Sequence, residues 1–260
     1  MKLKLMDKLE SLKKTLKNYQ RVAIAYSGGC DSHFLYTVAK ETLGKDNVLA
    51  VLCVGKMMSL EDISSAKRLL SDGYYEIVPI DVLKITAFKH NQKDRCYHCK
   101  KAIMSQVLAT AKVHGIDIVL DGMNHDDLGV YRPGRKAVAE LGILSPLKEM
   151  SKAEIRNYSK QLGIETYSKP ANACLATRFP YGTILTEEKL DRVAQGEAIF
   201  HHLGIQHVRL RDHGDLARIE VSRNDFDQVV ANQELVSQLK KLGYKNITLD
   251  LQGIKSGSFD

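Results

Sequence analysis

The sequence predicts an α/β protein: a doubly wound parallel sheet followed by a smaller α+β domain. Three observations carry this. Apolar runs at residues 22–26, 48–54, 76–81 and 118–121 are nearly continuous in Val, Ile, Leu and Ala, as expected of parallel strands covered on both faces. Stretches of helical periodicity lie between them, the alternation of a wound α/β sheet. Beyond about residue 170 the strand candidates HVRLRD, LARIEV and NITLDL alternate in polarity, as half-exposed strands do. The boundary is accordingly placed at 1–169 and 170–260.

The elements follow in order. Leu5, Leu9, Leu12 and Leu16 recur at helical spacing in a segment whose charges are spread throughout, so it reads as an amphipathic helix and not as a signal peptide. A helix over 31–43 follows the first strand. Another starts at Ser59, with Asp62 three residues on in a capping pattern. A third covers 100–114. Ser151 and Glu154 form a further capping pair for a helix ending near Gly163. The segment SKPANACLATRFPYGTILT, with two prolines and a glycine, reads as a loop. A helix over 187–203 and a helical stretch running to Leu242 complete the second domain.

The chain has 260 residues, 44% hydrophobic, with a net charge of +7 and five cysteines. Such a core excludes wholesale disorder, and the longest apolar runs are too short to span a bilayer. The positive charge is diffuse: it fits a lysine-rich surface as well as binding to phosphorylated small molecules, and it marks no nucleic-acid patch. With no targeting address visible, the cytoplasm is the expected location. Five cysteines in such a chain point to metal or redox chemistry and not to a disulfide framework.

The first strand runs directly into Ser27, Gly28, Gly29, Cys30, Asp31 and Ser32, with a helix following. Glycines let backbone amides approach an anion, and the helix N-terminus adds positive potential. Ser27 and Ser32 supply hydroxyl donors. Asp31 repels phosphate directly, so its place is beside Mg²⁺. This is not the GxxxxGK[ST] pattern. Cys30 sits at the variable place in the loop, and Cys53 reads as a small buried residue.

Cys96 and Cys99 form a CxxC in DRCYHCKK, and Cys174 lies in the irregular loop ACLATRF. A CxxC by itself fits a redox pair, half a zinc site or a cluster. Zinc calls for four ligands, and no second CxxC is present. Three thiolates suit a 4Fe-4S cluster with one iron left open, and an open iron binds and deprotonates an exogenous nucleophile as other metals do water.

The SGGCDS loop resembles the PP-loop of the ATP pyrophosphatase family. The resemblance implies ATP as cosubstrate, attack at its α-phosphate, pyrophosphate release, and an adenine pocket around Cys53, Val54, Asp121 and Gly122. SGGCDS, RCYHCKK, LDGMNHDDLGVYRPGRKA, ACLATRFPYG, VRLRDHGDLARIEV and ITLDLQGIKSG together resemble one branch of it, the LarE sulfur transferases, over nearly the whole chain. That resemblance implies adenylation of a carboxylate of pyridinium-3,5-biscarboxylic acid mononucleotide, then its conversion to a thiocarboxylate, in making the nickel-pincer nucleotide cofactor. One LarE branch has a single cysteine at the place of Cys174 and gives up that sulfur. This chain also has Cys96 and Cys99, and so resembles the branch holding a 4Fe-4S cluster fed by sulfide or a sulfur-donor protein. A homo-oligomer, trimer or hexamer, is implied as well.

Joining a carboxylate to an α-phosphate requires neutralising their repulsion. Lys100, Lys101 and Arg178 stand beside the three cysteines in sequence and suit that task. Arg209 and Arg211 alternate on one strand and share a face, a pair suited to a mononucleotide phosphate. Glu220 and Glu197 are expected to hold them. Arg132, in the YRPG turn, is expected at nucleotide phosphate. The rival readings are a tRNA-thiolating PP-loop enzyme with a three-cysteine cluster, an ammonia-using amidotransferase or ligase, and a non-enzymatic iron–sulfur carrier or nucleotide sensor.

Overall fold

The computed structural model describes residues 2–129, 133–170 and 173–255. They form two compact units, one of residues 2–55, 62–80, 96–129 and 133–170 and one of residues 56–61, 81–95 and 173–255.

In the first unit α1 (Lys2–Lys17) leads into β1 (Val22–Tyr26), α2 (Cys30–Leu43), β2 (Val48–Val54), α3 (Leu60–Leu70) and β3 (Tyr75–Pro79). α4 (Thr86–Lys89) is a single turn of the second unit. α5 (Arg95–Val113), β4 (Val119–Leu120), α6 (Gly134–Glu140) and α7 (Lys152–Gln161) follow. The four strands are parallel in the order β3-β2-β1-β4. The chain winds outward from β1 to β3 and returns to the other side of β1 with β4. The strand order therefore reverses between β1 and β4, where open α/β sheets bind ligands beyond the strand carboxyl ends. Both faces are covered. Met104, Val107 and Ala111 of α5, with Val138 and Ile143, pack on Ala23, Leu49 and Val51. Phe34 of α2 stacks on Tyr158 of α7 at 6.2 Å between ring centroids.

Several boundaries differ from the sequence reading. β3 ends at Pro79, and Asp81 instead caps a 3₁₀ turn by accepting from the Leu83 amide at 3.2 Å. β4 keeps two residues because the Asp121 amide turns to the Leu144 carbonyl at 2.9 Å. α5 starts at Arg95, five positions before the expected 100, which puts Cys96 and Cys99 on the helix. No Gly or Pro interrupts residues 95–100, so nothing stops the helix from beginning there. At Ser151 the reciprocal capping box is present, its hydroxyl accepting from the Glu154 amide and Glu154 from the Ser151 amide.

The second unit contains α8 (Glu187–His202), β5 (Val208–His213), β6 (Leu216–Val221), α9 (Phe226–Ala231), α10 (Gln233–Lys241) and β7 (Asn246–Leu249). β5 and β6 form an antiparallel hairpin, and β7 joins β6 in parallel. The expected helix to Leu242 is broken at Asn232, whose side chain accepts from the Leu235 amide at 3.0 Å and caps α10. Phe200, Leu210, Ile219, Val221, Leu239 and Tyr244 fill the core. Residues 81–95 belong here because the Asn91 amide group donates to the Phe179 and Pro180 carbonyls at 3.1 and 2.9 Å. Among the described residues, no helix is long and apolar enough to cross a membrane.

Candidate active site

The SGGCDS segment forms a tight cradle between β1 and α2. Gly28 has φ +71°, and a Cβ there would lie 2.6 Å from the Ala66 Cβ of α3, so geometry and space both demand glycine. Ser27 and Ser32 Oγ are 3.0 Å apart, and Ser32 Oγ accepts from the Ser27 amide at 3.2 Å. The Gly29 amide donates to Ser27 Oγ at 3.4 Å. That is a long bond on an amide at the helix N-terminus, where anions bind.

Beyond β4, Gly122 approaches the same helix end. A Cβ on Gly122 would lie 2.9 Å from the Ser32 nitrogen and 3.1 Å from its Cα. The segment after β4 thus meets the first turn of α2 backbone to backbone.

Asp31 is fixed by two partners. Lys152, the first residue of α7, donates to its Oδ1 at 2.6 Å, and Asn124 donates to its Oδ2 at 3.3 Å. The carboxylate already holds one positive charge beside the loop, and its hard oxygens suit Mg²⁺. Asp121 is buried and accepts from Ser145 Oγ at 2.6 Å and from the Met123 amide at 3.2 Å. Lys100 Nζ stands 3.9 Å from its other oxygen. Burial pulls the Lys100 ammonium below the usual lysine range, while Asp121 and then Cys99 oppose that. Cys53 lies on β2 with its thiol pushed up to about 11 by burial, which Lys100 partly offsets. It is a packed, protonated thiol. Burial likewise raises Cys30. Lys101 is engaged at the surface with Glu140 at 2.9 Å and with Tyr97.

Cys96 and Cys99 form no disulfide and lie near the start of α5, the former exposed and the latter half-buried. At a spacing of three residues on a helix they face the same way. Soft sulfur pairs of this kind suit zinc or iron–sulfur centres. Within neither unit, among the described residues, do three His, Cys, Asp or Glu side chains form a ready metal site.

Cys174, in the second unit, is half-buried, forms no disulfide and precedes a 3₁₀ turn over Leu175–Arg178. Two buried guanidinium groups grip this turn. Arg178 binds the Ala173 carbonyl at 2.9 Å and forms a bidentate pair with Glu197 at 2.8 and 2.9 Å. Arg211 donates to the Thr177 carbonyl at 2.6 Å and to Glu220 at 2.8 Å, and Arg218 takes the other Glu220 oxygen at 2.9 Å. Glu220 thus lies against Arg211, while Glu197 makes its hydrogen-bonded pair with Arg178 and acts on Arg209 through its charge. Arg209 is half-buried on β5, its pKa brought down to about 10 by burial and then by the nearby Arg178 charge. Arg132 lies outside the described residues.

The structure therefore gathers Ser27, Gly28, Gly29, Asp31, Ser32, Gly122 and Lys100 at the carboxyl ends of the first unit's strands. Cys174, Arg178, Arg209, Arg211, Glu197 and Glu220 gather in the second. Sequence reasoning missed Lys152 and Asn124. Lys152 stands next to the capping serine of α7, but its partner Asp31 is 121 positions away, a distance at which no local pattern operates.

A family model described as NAD synthase matches residues 4–110. Over 98% of its length, the chain is 38% identical to an uncharacterized protein of Synechocystis sp., covering 98% of that protein. It is 36% identical to the pyridinium-3,5-bisthiocarboxylic acid mononucleotide synthase of Lactiplantibacillus plantarum, over 97% of this chain and 94% of the relative. An uncharacterized protein of Methanocaldococcus jannaschii is 29% identical over 97% of the chain and 98% of its own length.

Proposed function

The chain belongs to the LarE family of PP-loop sulfur transferases, and from that premise we propose how its residues carry out an ATP-dependent sulfur transfer. It is an ATP-dependent sulfurtransferase whose substrate is a pyridinium mononucleotide bearing carboxylates. A carboxylate oxygen of pyridinium-3,5-biscarboxylic acid mononucleotide attacks the α-phosphorus of ATP. The bond to the β-phosphate oxygen breaks and pyrophosphate leaves. A sulfur nucleophile then adds to the acyl carbon, AMP departs with the electron pair of the C–O bond, and a thiocarboxylate remains. The observation that supports this most is the cradle at the β1–β4 switch point, in a chain similar along its length to the L. plantarum synthase.

Each residue has a part in the proposal. The Gly29 amide and the Ser27 and Ser32 hydroxyls receive the pyrophosphate oxygens. Asp31 holds Mg²⁺ in place of the Lys152 charge. Lys100 and Lys152 offset the repulsion between carboxylate and α-phosphate. Arg209 and Arg211 suit the substrate phosphate, although Arg211 already serves Glu220 and the Thr177 carbonyl. Arg178 acts through its hold on the Cys174 turn. Cys96, Cys99 and Cys174 provide the thiolate set for a 4Fe-4S cluster, which when bound supplies a Lewis-acidic position for a sulfur atom. The sulfur comes from sulfide or a donor protein, the assembly is a homotrimer or hexamer, and the location is the cytoplasm.

The test is anaerobic iron–sulfur reconstitution, an iron count, then assays of pyrophosphate release and thiocarboxylate formation with sulfide. The proposal expects about four irons per chain, thiolation that stops in Cys174→Ala, and pyrophosphate release that persists in that variant. Iron-free protein that thiolates once while Cys174 becomes dehydroalanine would replace the cluster reading with a sacrificial one. No pyrophosphate release with this substrate would remove the adenylation itself.

A further inference from the structure

We infer that Lys169 is a positioning residue of the phosphate loop, fixing the peptide plane that presents the Gly29 amide to pyrophosphate. Its ammonium donates to the Gly28 carbonyl at 3.1 Å and reaches Ser65 Oγ at 3.5 Å and Asp62 at 3.6 Å. The peptide joining Gly28 to Gly29 is planar and trans, so its C=O and N–H point in opposite directions. A cation holding the oxygen end therefore aims the N–H end. That N–H now rests on Ser27 Oγ at 3.4 Å, a contact long enough to be exchanged readily for an anion oxygen.

Gly28 has no side chain to steer this plane, and with φ +71° it is among the least restrained backbone positions. The steering has to come from outside, and Lys169 supplies it. The lysine is itself restrained. Arg156 donates to the Lys169 carbonyl at 3.1 Å, and Pro170 restricts the backbone of the residue before it. The ammonium also covers a carbonyl dipole whose negative end would otherwise face the loop's surroundings.

The inference rests on reading this loop as a pyrophosphate site, and the experiment separates the two. Titrate inorganic pyrophosphate, ATP and AMP with Mg²⁺ into the wild-type full chain, K169M and K169R, and record the thermal midpoint of each. AMP lacks the two phosphates that the Gly29 amide would meet. K169M should bind pyrophosphate and ATP about tenfold more weakly, the loss of one charge-assisted hydrogen bond. AMP affinity and the midpoint should hold, and K169R should recover most of the loss. The Gly29 amide resonance of empty K169M should also shift. Unchanged pyrophosphate affinity in K169M, a parallel loss for AMP, or an unmoved Gly29 resonance overturns the role of Lys169. Wild-type protein that binds no pyrophosphate overturns the site reading instead.

Discussion

Replacing Glu197 with Gln tests what holds the Cys174 turn in place. Arg178 and Glu197 are 3% and 6% exposed and share two hydrogen bonds of 2.8 and 2.9 Å. E197Q keeps the shape and can still accept from the Leu210 amide, now 2.9 Å from Oε1. It leaves the guanidinium charge without a counter-ion in a buried place. Removing one partner of a buried pair costs about 3–5 kcal/mol. Arg178 retains the Ala173 carbonyl and Thr177 hydroxyl as acceptors at 2.9 Å each, so the lower end, about 3 kcal/mol, is expected. Urea unfolding followed by a probe in the second unit measures it. The pair R178M/E197L removes both charges and should regain most of the loss. A loss below about 1 kcal/mol in E197Q, or a double variant no better than the single, would refute the view that this ion pair fastens the turn.

Three further outcomes follow from the first unit. Lys152→Met should lower the pyrophosphate-release rate about a hundredfold, as for other single electrostatic donors, with little change in the folded state; a rate within threefold of wild type would exclude Lys152 from the chemistry. Gly122→Ala should cost about 1–3 kcal/mol, because the neighbours it strikes are backbone atoms, and should weaken ATP binding in an equilibrium titration. Burial lowers the His33 pKa from 6.5 to about 4, and its Nδ1 pairs with the Tyr26 hydroxyl at 2.8 Å. The unfolded chain takes up this proton first as acid is added. Stability is therefore full above pH 6.5 and falls as the pH drops to about 4, by about 3 kcal/mol in all. His33→Gln should flatten that part of the stability–pH curve.

The parallel strands were legible because burial on both faces leaves no polar alternation, as in the six fully buried residues that open β2. SGGCDS was legible because the signals that mark it are local, one left-handed glycine, two hydroxyls and a helix start, although the residues that steady it are distant in sequence. The capping box at Ser151 was legible for the same reason. Lys152, one residue later, was not, since its meaning comes from a carboxylate brought near by the winding of the sheet. Glu197 shows the same limit. Read as a support for the arginines of β5, it does meet that strand at the Leu210 amide, but its bidentate fork is made to Arg178, because the turn after Cys174 brings that guanidinium into line with α8. The grouping of residues 81–95 with the second unit was also hidden, resting as it does on Asn91 binding carbonyls 88 and 89 positions away.

The clasp around Cys174 acts on main-chain oxygens. Arg178 takes the oxygen of Ala173, Arg211 that of Thr177, and the Thr177 hydroxyl that of Cys174 itself at 2.8 Å. None of these bonds depends on which side chain position 174 carries. Chemistry at the sulfur, whether it is exchanged, loaded or removed, leaves the mount unaltered. A serine or alanine placed there would thus be displayed at the same spot, so the silence of such a variant would report the missing sulfur and not a displaced loop.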